Sequence, residues 1–190
     1  MSTYKFELKD EKLLTYSQSF KKRLFDIVLS LFGILIFFIV ILVAWLVASI
    51  DTRSNGLFYQ KRIGLHGKIF TVFKIKTMLE SSGDISTVTT SNDPRITKVG
   101  NFFRRTKIDE LPQLWNVFIG KMSFVGPRPD VSGFADKLSG KDALILSIRP
   151  GITGPAAIKY REEESILAMQ KNPVKYNLSL IHISEPTRPY

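Results

Sequence analysis

From Ile27 to Ile50 the chain runs for 24 residues without one charged side chain. As a helix that run is long enough to cross about 30 Å of hydrocarbon. It is longer than an ordinary signal core and lacks a small-x-small cleavage pattern before Asp51, so it reads as a membrane element and not as a leader. Cations flank it on both sides: Lys21, Lys22 and Arg23 before, then Arg53, Lys61, Arg62, Lys68, Lys74 and Lys76 after. The positive-inside rule therefore gives conflicting orientations for a straight span. A spanning helix and one that enters and leaves by the same face both remain open. Gly33 imposes no break, since an isolated glycine costs a helix only about 1 kcal/mol. Asp26 lies at the lip of the run, three residues after Arg23, where an i,i+3 ion pair would fix helix depth at the interface.

A chain of 190 residues makes one modest domain plus an appendage. Its net charge of +10, from 27 basic and 17 acidic side chains, predicts attraction to polyanions, whether nucleic acid, anionic lipid headgroups or phosphorylated substrates. No cysteine is present, which excludes disulfides, thiolate chemistry and cysteine zinc sites. Nucleic acid ranks last, because the cations cluster around an apolar run and no recognition motif occurs.

Residues 1–20 read as a surface arm, 21–50 as the membrane helix and 51–177 as one further domain. Leu57 to Arg62 and Ile69 to Ile75 are aromatic and β-branched runs separated by Gly64 to Gly67, which predicts a hairpin with His66 as a solvated turn residue. Glu80 to Pro94 is rich in Ser, Thr, Asn and Asp and predicts a mobile loop. Val99, Phe102 and Phe103 fall close together on a helix rimmed by Lys98, Arg104 and Arg105, as suits the headgroup layer. Leu111, Leu114, Trp115 and Phe118 form a second stripe available for packing or for lipid. The fold class is α+β: a membrane helix, re-entrant or spanning, then a small, mainly helical domain with a β-hairpin and interfacial amphipathic helices.

The chemistry concentrates between Arg104 and Pro129, where Asp109 and Glu110 sit among clusters of positive charge. Pro112 limits where the next helix begins. Asp109 is then its N-cap with Glu110 at the first helical position, or Thr106 caps and Asp109 falls at N3. Either way the positive helix end favours ionised oxygens, as a nucleophile or a magnesium ligand requires. Gly126-Pro127-Arg128-Pro129 holds a guanidinium in a turn stiffened by two prolines.

This central block closely resembles the signature of the bacterial sugar transferases, the monotopic phosphoglycosyl transferases. Further blocks in family order run from Lys21 to Asp26, Gln60 to Gly64, Phe73 to Met78, Asp93 to Gly100 and Arg149 to Gly154. The resemblance implies a re-entrant helix and a catalytic domain on the cytoplasmic face of the bacterial inner membrane. Members carry a Ser-Pro pair where this chain has Phe38-Ile39, so the helix breaker is missing. The implied reaction passes a phosphosugar from a nucleotide diphosphate sugar, of the UDP-sugar type, to a polyprenyl phosphate through a covalent adduct on Asp109. It implies Mg²⁺ held by Glu110, and phosphate contacts from Lys74, Arg104, Arg128 and Arg149. Two competing readings are a glycosyltransferase that moves sugar alone, and a basic scaffold that binds anionic lipid with Asp109 and Glu110 as caps. Residues 178–190 look like a translated sequencing adapter, so the domain is expected to be truncated.

Overall fold

The computed structural model describes residues 16–80, 93–131 and 140–154. Most of the expected arm, of the loop between Glu80 and Pro94 and of the C-terminal part of the domain, and all of 178–190, lie outside the described residues. The first element, α1, is one helix, Tyr16–Thr52, unbroken through Phe38-Ile39. No proline interrupts it. At 1.5 Å per residue it is about 55 Å long. Only 11% of its most apolar stretch is buried, so most of that surface is left uncovered by the rest of the protein.

One stripe of α1 is different. Asp26, Ser30, Ala44, Ala48 and Thr52 are buried and recur on a single face at whole-turn intervals. Small side chains there let other elements approach closely. The N-terminal end packs on α3 (Gln113–Phe118) and β3 (Ser123–Val125), with Gly33 against Leu114. Towards the other end, Ala44 and Ala48 join Ile75 and Phe103 in a cluster bordered by Trp45, Leu57, Val99 and Ile108. Both ends of the apolar helix therefore rest on the same body. Between them, Leu35 to Val40 are exposed all round.

The body is α+β, and among the described residues it is less helical than expected. Strands β1 (Leu57–Ile63) and β2 (Ile69–Ile75) form the antiparallel hairpin, in register from Leu57 opposite Ile75 to Ile63 opposite Ile69. The exposed His66 has left-handed backbone in its turn. A second pair went unforeseen: β3 lies parallel to β4 (Gly151–Thr153). Alternation along β2 turns Phe70 and Val72 towards Val117 and Met122 in a second cluster, while Ile75 enters the first. Helix α2, Lys98–Thr106, starts at Thr97, whose hydroxyl accepts the Gly100 N–H at 2.8 Å. Its apolar residues do not share one interfacial face. Phe103 is buried and Val99 partly so, whereas Phe102 is exposed, because adjacent helical residues point about 100° apart. The second stripe divides likewise: Leu114 is buried and Leu111 and Phe118 partly so, whereas Trp115 is half exposed.

Candidate active site

The two carboxylates are placed by a reversal at the end of α2. Lys107 adopts a left-handed conformation (φ 60, ψ 18) and its N–H donates to the Arg104 carbonyl at 3.3 Å. The chain then makes one 3₁₀ turn, Ile108–Glu110, before Pro112 leads into α3. This corrects both capping schemes. Pro112 occupies the N-cap of α3 and makes no side-chain bond there, while the Thr106 hydroxyl donates back to the Phe102 carbonyl at 2.8 Å. Asp109 is thus not engaged in capping. The residue is 8% exposed, and Oδ1 is buried with no hydrogen-bond partner among the described residues. Orphaned buried acceptors are rare and costly, so this oxygen marks the spot where a ligand is expected.

Four cations surround the pair. Lys74, from β2, lies 3.5 Å from Glu110 Oε1, and Lys107 lies 3.9 Å from the same oxygen. Burial, reinforced by the neighbouring Glu110 charge, pushes the Asp109 carboxyl up to about 6, against the pull of Lys74, Lys107 and Arg104. For Glu110 burial works in the same upward direction, but Lys74, Lys107 and Arg128 outweigh it and hold the group below its usual range. Adjacent carboxylates are thereby driven apart: one firmly ionised, the other a stronger base than an ordinary aspartate. Such a split is a frequent mark of divided chemical roles.

Arg128 acts on Glu110 from the loop at the end of the central block. Its turn is locked to the Arg149 to Gly154 block by backbone bonds, Gly126 N–H to Thr153 O at 3.0 Å and Gly151 N–H to Pro127 O at 2.8 Å. The approach tolerates no side chain: a Cβ on Gly126 would stand 2.3 Å from the Arg149 carbonyl, and one on Gly151 2.2 Å from Gly126 N. Arg62 braces the same loop through the Pro129 carbonyl at 3.2 Å, next to the Ile63 N–H bond to Asp130 O at 2.8 Å. Arg104 contacts Met78 Sδ at 3.9 Å and acts electrostatically on Asp109. Arg149 binds the backbone just beyond α3. Its Nε donates to Gly120 O at 3.1 Å, close to where Arg23 donates to the Val117 and Phe118 carbonyls at 2.7 and 2.6 Å. Together they satisfy the carbonyls at the end of α3.

Two roles were not legible in the sequence. Lys107 has a visible signal, a cation two residues before Asp109, but its backbone role has none. Asp26 is buried; Oδ1 accepts from Ser123 Oγ at 3.1 Å and Phe124 N–H at 3.2 Å, and Lys22 pairs with Oδ2 at 3.7 Å. Lys22 therefore makes the ion pair expected of Arg23, and Asp26 fastens α1 to β3. The spacing of Asp26, Ser30, Ala44 and Ala48 was the available clue. Among the described residues no group of three or more metal-type side chains converges. A hard cation here would rest on Glu110, with the orphaned Asp109 oxygen beside it, and complete its shell from water and phosphate oxygens, which suits Mg²⁺.

An α+β body fastened to one membrane-length helix, with a buried carboxylate ringed by cations, defines the class. The family model described as bacterial sugar transferase matches residues 17–184, and the chain belongs to that family. It is 39% identical over 165 residues to the UDP-glucose:undecaprenyl-phosphate glucose-1-phosphate transferase of Escherichia coli, covering 84% of this chain and 36% of that protein. It is 36% identical over 156 residues to the undecaprenyl-phosphate galactose phosphotransferase of Salmonella typhimurium, covering 73% and 32%. An uncharacterized sugar transferase of Bacillus subtilis, EpsL, is 39% identical over 143 residues, covering 74% and 69%. The chain spans about a third of the length of the first two relatives.

Proposed function

We propose that the protein transfers a sugar-1-phosphate from a UDP-sugar to a polyprenyl phosphate at the cytoplasmic face of the inner membrane, as the first step of glycan assembly. The observation that carries this reading is the buried, unpartnered Asp109 oxygen inside a ring of four cations. Asp109 attacks the sugar-linked phosphorus; a carboxylate–phosphorus bond forms, the bond to the bridging oxygen breaks, and nucleoside monophosphate departs. An oxygen of the polyprenyl phosphate then attacks the same phosphorus. The carboxylate leaves, and polyprenyl diphosphate sugar is formed. With its carboxyl near 6, Asp109 is mostly ionised at pH 7 and more basic than a free aspartate, as a nucleophile should be. Lys74, Arg104 and Arg128 neutralise the diphosphate, the arginines through forked donors. Glu110 would hold Mg²⁺, which supplies charge neutralisation at the phosphoryl oxygens when bound.

The N-terminal end of α1 and its Ala44 to Thr52 end rest on one body, which supports a helix held along that body with the exposed Leu35 to Val40 turned to lipid. The test is incubation of the full chain in membranes with labelled UDP-glucose or UDP-galactose, followed by mass spectrometry. A phosphohexose on Asp109 with release of UMP is expected. Release of UDP, or turnover with no adduct when acceptor is withheld, would overturn the reading.

A further inference from the structure

Asn116 is completely buried, yet it sits on α3 with no part in the chemistry described so far. Its amide reaches across to β2 and makes two bonds. Nδ2 donates to the Thr71 carbonyl at 2.7 Å, and Oδ1 accepts the Phe73 N–H at 3.1 Å. A carbonyl and the N–H two residues later are the pair that a neighbouring parallel strand would bind. One side chain therefore substitutes for a third strand at the edge of the hairpin.

The bonded segment leads directly to the site. Phe70, Val72 and Lys74 share one face of β2 by alternation; the first two pack on Val117 and Met122, and the third meets Glu110 at 3.5 Å. Glu110 and Asn116 are carried by the same short stretch of chain. The register of β2 against α3 thus decides whether Lys74 arrives at Glu110. Apolar contact alone fixes that register poorly, because it is non-directional, and a slip of two residues would carry Lys74 about 7 Å along the strand. Paired hydrogen bonds tolerate no such slip.

We infer that Asn116 is a positioning residue for the transfer reaction, holding β2 in register so that Lys74 stands beside Glu110 in the site. This inference rests on the proposed reaction. The test is a double-mutant cycle, with UMP release from UDP-glucose measured for the full chain in membranes, alongside thermal unfolding. Asn116→Ala is expected to lower kcat/KM at least tenfold in the otherwise native protein, and less than twofold when Lys74→Met is already present. Asn116→Asp keeps the acceptor for Phe73 but sets a buried carboxylate against the Thr71 carbonyl, so it should show the same dependence on Lys74 with a loss at least as large. A merely structural role would lower the melting temperature and reduce activity by the same factor in both backgrounds. That result, or failure of both variants to fold, would overturn the inference. Native protein that releases no UMP would instead overturn the proposed reaction.

Discussion

Asp109→Asn should stabilise the protein while abolishing transfer. In the folded chain the Asp109 carboxyl is pushed up to about 6 from an ordinary 3.8, burial being the largest cause. The folded state therefore holds its proton more tightly than the unfolded chain does, and stability falls as pH rises from about 4 to about 6. At 1.36 kcal/mol per pH unit the full cost, reached above pH 7, is roughly 3 kcal/mol; at pH 5 it is roughly half of that. Asparagine carries no charge to desolvate, so the variant recovers up to that amount. For a chain of this size, roughly 3 kcal/mol corresponds to about 6–12 °C in melting temperature. The assay is thermal unfolding of purified protein in detergent without divalent metal, at pH 7.5 and pH 5. The variant should melt higher at pH 7.5 and lose about half of that advantage at pH 5. An advantage independent of pH, or a variant less stable than the parent at pH 7.5, would refute the view that Asp109 is a charge held in a dry site.

Gly126→Ala should lower stability by about 1–3 kcal/mol through overpacking, since its Cβ would stand 2.3 Å from the Arg149 carbonyl; melting curves and the loss of UMP release would both record the displacement of Arg128. Asp26→Ala should cost about 3 kcal/mol by leaving Ser123, the Phe124 N–H and Lys22 without their buried acceptor. Proteolysis in membranes would show it as faster release of the body from α1, and an unchanged digestion rate would count against Asp26 as the fastening.

Sequence by itself settled the elements whose causes are local. A 24-residue uncharged run must become a lipid-facing helix, and the hairpin follows from two β-branched runs around Gly64 and Gly67. The adjacent carboxylates among cations were likewise legible, because charge and residue type are written in the chain. What remained hidden depended on meetings between distant segments. Asn116 on the edge of β2, Gly126 against Gly151, and Asp26 under Ser123 join residues far apart in sequence. The cap expected at Asp109 failed for a related reason: a left-handed Lys107 redirects the chain, and the surrounding body then buries the carboxylate. Local propensity names the groups that can react; only tertiary packing removes water from one of them and leaves its oxygen without a partner.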